Sequence, residues 1–161
     1  MNYFLKFNDK LQNFGAYLSS FLFIALTVLI VTEIVSRSFF NVSTMIAGEY
    51  SGYFYLASIF FGLGYTFKED GHIRITILTS KLSKNKIRVV DIFAGVITLV
   101  LTLFILYYSV KMIIESYKFE MVSETVSETP IYLTQLALPI GLLIFCIAIL
   151  AFIVKRVKYD K

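Results

Sequence analysis

Cysteine, histidine, proline and charge are all scarce in this chain of 161 residues, and the scarcity removes whole classes of function. Cys146 is the one cysteine, so the chain can form no disulfide framework and no cysteine-based metal site. His72 is the one histidine. Glu69 and Asp70 precede it, but the further nitrogen or sulfur ligands that metal centres favour are missing. There is no nucleophile elbow, phosphate loop, H-E-x-x-H or paired-cysteine motif, so no residue argues for catalysis. Pro130 and Pro139 are the only prolines, and no low-complexity stretch or linker divides the chain. Only 16% of residues are charged.

Charge is absent altogether from four stretches: Leu11 to Thr32, Tyr50 to Phe67, Ile92 to Val110 and Thr129 to Val154. A helix rises about 1.5 Å per residue and crosses a bilayer core of about 30 Å in roughly 20 residues. A soluble domain of this size has no use for four such runs, because its helices need a polar face toward water. The 58% hydrophobic content and mean hydropathy of +0.77 agree. The expected fold is therefore an all-α integral membrane protein. It should be a single domain with spans near 14–36, 50–68, 90–112 and 130–154. The first apolar run is longer than a leader's and no A-x-A pattern follows it, so it reads as a retained helix.

The basic residues sort by loop. All fifteen except Arg37, Lys111 and Lys118 lie before the first run, between the second and third, or after the fourth. Basic loops stay in the cytoplasm, which predicts that both termini and the middle loop face inward. Glu115, Glu120, Glu124 and Glu128 crowd a loop expected outside. The sequence pI near 9.1 is thus a matter of topology rather than of nucleic acid. The middle loop should meet anionic phospholipid, at about 1 kcal/mol per basic residue near the surface. Arg74, Lys81 and Arg88 recur every seven positions there, as on a helix lying in the membrane surface. Ile73, Ile75 and Ile77 alternate as a strand would, so the segment is open to either reading.

Pro130 suits the first turn of the fourth helix, whereas Pro139 should kink it. Ala57, Ser58, Gly62 and Gly64 offer a small-residue face on the second helix. Glu33 and Arg37 stand four apart at the outer end of the first helix, the spacing of an ion pair on one face. Glu33 could carry a proton or cation; the plainer role is an interfacial pair that orients the helix end. Glu49 fits the positive end of the second helix, and Arg37 should bridge it to Glu33. His72 should anchor a turn at the membrane surface. If residues 120–128 are helical, Glu120, Glu124 and Glu128 form one acidic stripe, either simply solvated or steering a basic partner.

These features, in this order, resemble the small membrane subunit of TRAP (tripartite ATP-independent periplasmic) transporters, the DctQ-like family. The matching positions are Arg37 closing span one, Glu49 opening span two and Gly71-His72-Ile73-Arg74-Ile75 after it. Pro130 and then Pro139-Ile140-Gly141 follow at the family's spacing. Two positions depart: Gly48-Glu49-Tyr50 stands where many relatives carry paired acids, and Tyr132 stands where many carry tryptophan. The resemblance implies a subunit with no cofactor and no catalysis of its own. Its partners would be a DctM-like large permease, which moves an organic anion with sodium, and a periplasmic substrate-binding protein. His72 and Arg74 would be structural or interface residues. Two rival readings are a small proton-coupled exporter built on Glu33 and a small intramembrane enzyme.

Overall fold

The computed structural model describes residues 2–69 and 84–158, all helical apart from two loops and a turn. Five helices follow in order: α1 (Asn2–Phe40), α2 (Ala47–Lys68), α3 (Lys84–Lys118), α4 (Ile131–Gln135) and α5 (Ala137–Lys158). The four expected spans fall on α1, α2, α3 and the α4–α5 pair. Three segments, Tyr3–Phe40, Lys86–Lys118 and Ile131–Lys158, are long and apolar enough to cross a membrane. α2 is also charge-free from Tyr50 to Phe67, but its tyrosines, serines and glycines dilute its hydropathy.

α1 extends well before the expected start at residue 14, because its first turns still have a face to bury. Asn8, Gln12 and Gly15 recur at helical spacing and are buried against α2 and α5. α2 returns antiparallel to α1, and small residues set their separation. The Ser19 hydroxyl donates to the Ser58 carbonyl at 2.6 Å. A Cβ placed on Gly15 would stand 2.7 Å from the Phe61 carbonyl oxygen. The expected small-residue face on α2 is therefore a real contact surface, with Ala57, Ser58 and Gly64 buried. In lipid such close approach supplies packing that the hydrophobic effect does not.

The kink expected at Pro139 is a break. Proline offers no N–H to the carbonyl four residues earlier, and its ring crowds that carbonyl. Gln135 ends α4, and helical bonding resumes from Ile140 N–H to the Leu136 carbonyl at 3.3 Å. Pro130 sits one residue ahead of α4 with φ −60°, a helix-compatible value. α5 is the central helix: it runs parallel to α2, antiparallel to α3, and also touches α1. Nine of its residues are buried, from Pro139 to Ala151. Phe67 stacks edge-on against both Phe145 and Phe152, with ring centroids 5.6 and 5.2 Å away.

α3 packs chiefly along α5. The outward faces of α1 and α3 are bulky and apolar, with Phe14, Phe21, Phe93 and Phe104 each more than half exposed. The surface helix considered over residues 73–88 lies mostly outside the described residues; positions 84–88 belong to the first turns of α3.

Candidate functional site

Polar side chains concentrate at the two ends of the helices. At one end are the connections 41–46 and 119–130; at the other, the first turns of α1 and the last of α5 come together.

At the loop end, Glu33 is the hub of the turn between α1 and α2. Its Oε1 accepts from Arg37 Nε at 2.5 Å and from the Ser43 hydroxyl at 2.8 Å. Its Oε2 accepts from the Thr44 amide at 3.0 Å and from the Thr44 hydroxyl. Four donors fill the lone-pair positions that an ionised carboxylate offers. The arrangement holds a turn in which Asn41 and Met45 take left-handed φ values of 54° and 58°. Asparagine tolerates that conformation, whereas methionine adopts it only under constraint. The expected Glu33–Arg37 pair is present, but the two partners differ: the Glu33 side chain is 10% exposed and Arg37's is 63%.

The bridge from Arg37 to Glu49 does not form. Arg37 instead donates from Nη2 to the Ser43 hydroxyl at 3.0 Å. Glu49 faces the loop after α3, because that loop brings it hydroxyl donors. Tyr53 donates to its Oε1 at 2.6 Å, and Ser127, at 2.5 Å, and Thr125 donate to its Oε2. Ser123, Thr125, Ser127 and Thr129 form a chain of hydroxyl contacts 2.7–3.0 Å long, and Tyr50 joins it through Thr129 at 3.1 Å. These four alternate in the repeated Val-Ser-Glu-Thr of residues 122–129, and the loop folds back so that their hydroxyls gather beside Glu49. Partial desolvation acts to raise the Glu49 carboxyl, but the Ser127, Thr125 and Tyr53 donors outweigh it and hold it at about 2.

The acidic stripe does not exist. Residues 119–130 are not helical: Glu120 and Glu128 take left-handed φ values of 49° and 45°. Ser123 N–H bonds the Thr129 carbonyl at 2.9 Å, and Ile131 N–H bonds that of Met121 at 3.0 Å, closing the loop on itself. A spacing of four therefore puts Glu120, Glu124 and Glu128 on no common helical face, although all three are exposed. Sequence reasoning missed Thr125, Ser127 and Tyr53 because it followed the acids at a period of four. The signal was the hydroxyls at a period of two.

Glu49 carries a pH expectation. Its folded-state value lies below its ordinary 4.5, so the tie is fully formed above that value. It weakens as pH falls through about 2. Glu49→Gln removes the charge at every pH and should free the loop. Cleavage by a glutamate-specific protease after Glu124 and Glu128 should become several-fold faster at neutral pH. Unchanged cleavage would show that backbone closure alone holds the loop.

At the opposite end, Arg156 Nη2 lies 3.1 Å from Asp91 Oδ2, and Arg88 donates to the Val157 carbonyl, fastening α3 to α5. Lys68 stands 3.6 Å from Asp9, 3.7 Å from Glu69 and 3.1 Å from the Asn13 amide oxygen, fastening α2 to α1. Gln12, fully buried, donates to Asn8 at 3.0 Å and to the Ile144 carbonyl at 3.2 Å, linking α1 to α5. His72 and Arg74 lie outside the described residues.

Comparison with known families decides the class. The family model described as "Tripartite ATP-independent periplasmic transporters, DctQ component" matches residues 26–159. The chain belongs to the DctQ family. It is a membrane protein and the small permease component of a TRAP transporter. The match takes in α2 to α5 and the whole loop end, so the Glu33 and Glu49 clusters both lie inside the family region. No curated protein matches the sequence significantly.

Proposed function

We propose that this DctQ-family chain is the fixed scaffold of its transporter, importing no solute by itself. The observation that carries the reading is the placement of charge. Each long helix is charge-free between its ends, and the ion pairs lie at the ends: Glu33–Arg37 at the loop end, Lys68–Asp9 and Arg156–Asp91 at the other. A proton or ion path through the bilayer ordinarily needs ionisable groups at mid-depth. α2 is the fourth span on this reading, short on hydropathy because its small and tyrosine side chains serve contact with other helices.

The partners are a DctM-like large permease, against which the apolar outer faces of α1 or α3 would pack, and a periplasmic substrate-binding protein. The transported solute is an organic anion such as a dicarboxylate or sialic acid, moved with sodium at a site in the large subunit. The location is the bacterial inner membrane, with both termini and the middle loop cytoplasmic, supported by the sorting of Lys and Arg. The loop end then faces the periplasm. The closed loop 119–130, with Glu120, Glu124 and Glu128 exposed, is the docking surface offered to the binding protein. The exporter reading loses support because the Glu33 carboxylate already has four donors and stands about two helical turns from the end of α1.

Reconstitution tests the proposal. Liposomes with this chain alone should show no sodium-driven uptake of organic acids. Liposomes that also carry the large permease, with the binding protein outside, should show uptake. Uptake by the small chain alone would overturn the scaffold reading.

A further inference from the structure

A cavity of about 630 Å³ opens at the terminal end, between the first turns of α1 and the last turns of α2 and α5. Its floor is apolar, made by Phe67, Ala148, Ala151 and Phe152. Its rim is ionic: Lys68, Lys155 and Arg156 from α2 and α5, with Asp9 and Glu69 beside Lys68. The volume lies in the range of pockets that enclose a small ligand. Nothing in the scaffold function calls for such a cavity.

The rim has a polarity. The Lys68 and Arg156 side chains are 25% exposed, whereas those of Asp9 and Glu69 are 55% and 53% exposed. The cations are thus the more withdrawn from water and the acids the more screened by it. Lys68 shares its charge with Asp9 and Glu69, and Arg156 leans on Asp91 and on the Phe152 ring, 5.5 Å from its centroid. Lys155 has no partner among the described residues. One exposed cation is therefore unspent beside two that are already oriented. An ionic rim with this one unpaired cation above an apolar floor, at the end of membrane helices, matches an amphiphile with a phosphate head and hydrocarbon tails.

We propose that this cavity binds the phosphodiester headgroup of one membrane phospholipid. Lys155 contacts the phosphate, and the Phe67–Phe152 floor takes the first part of an acyl chain. The bound lipid joins α1, α2 and α5 at the end where no loop connects α1 to α5. The proposal rests on the chain being a membrane subunit, with this end at a membrane surface. It does not depend on what the transporter carries.

The test uses the purified full chain in an uncharged maltoside detergent. Dioleoylphosphatidylglycerol is titrated in, and thermal midpoint and bound lipid by native mass spectrometry are read. The expected result is a saturable rise in midpoint with one lipid retained per chain. Lys155→Gln, at an exposed position, should fold normally and weaken binding about tenfold, the worth of one charge-assisted contact. Ala151→Leu should block binding by filling the floor without touching the rim. Dioleoylglycerol, which has the tails and no phosphate, should not stabilise, and neither should inorganic phosphate, which has no tails. Equal stabilisation by either compound, or full affinity in Lys155→Gln, would overturn the proposal. Transport is not measured, so either result leaves the scaffold reading to its own experiment.

Discussion

Gly141→Leu should leave little folded protein, and Gly141→Ala should lower stability by about 1–3 kcal/mol, the usual cost of forcing atoms into a packed site. A Cβ at this position would stand 2.6 Å from the Phe60 Cβ and 2.7 Å from its carbonyl carbon and oxygen. Two of those three atoms are backbone, so no rotamer change relieves the contact and α5 must move away from α2. α5 is the helix that touches all the others, so its displacement loosens the whole assembly. Gly15 presses on the Phe61 carbonyl from the α1 side, 2.7 Å from a built Cβ. The same turn of α2 is therefore gripped from two directions. Gly52 is the control: a Cβ there meets nothing within 4 Å. Gly52→Ala should be neutral or should stabilise by up to about 1 kcal/mol, since glycine costs entropy in a helix. Thermal midpoints of the purified variants check the set. A Gly141→Ala protein that melts with the wild type would show that the helices do not depend on this contact.

How much of this architecture could be read from the residues follows from what each signal measures. The long helices were legible because desolvation in a bilayer acts on every residue of a run, and four charge-free runs leave little else to form. The break before α5 was legible because Pro139 removes a donor at a known offset. The outward reach of α1 was not, since its first turns are polar on the sequence and gain their burial only when Asn8 and Gln12 meet α2 and α5. Nor was the centrality of α5. Which helix is buried depends on pairing between helices, and Gly141 announces close approach without naming Phe60 as its neighbour.

The loop end shows the same division. Glu33 and Arg37 are four apart on one helix, so local geometry alone brings them together. Glu49 was expected to meet Arg37, and spacing along the chain could not show that Thr125 and Ser127 would reach it instead. The turn after Phe40 reverses with Asn41 left-handed and carries Glu33 toward Ser43 and Thr44, while the folded-back loop from Met121 delivers its hydroxyls to Glu49. The assumption that failed was helicity beyond Lys118. Serine and threonine compete for backbone hydrogen bonds and favour turns, and residues 123–129 hold four of them.

The largest effect expected at the loop end belongs to Glu33 rather than to Arg37. Arg37→Ala removes one of four donors, and that side chain is 63% exposed, so solvent can replace much of what is lost. Glu33→Ala strips the acceptor from the Thr44 amide, both hydroxyls and the guanidinium at once, leaving the left-handed Met45 without the contacts that enforce it. Glu33→Gln is intermediate, because its amide keeps one acceptor and turns a second donor toward groups that themselves donate. The expected order of thermal midpoints is wild type, Arg37→Ala, Glu33→Gln, Glu33→Ala, from highest to lowest. Co-purification with the large permease should follow the same order. A proton carrier at this position would behave differently: Glu33→Gln would keep the midpoint and the complex while abolishing a pH-driven flux. That outcome would return Glu33 to chemistry, whereas the stability order makes it the clamp that sets the turn between the first two helices.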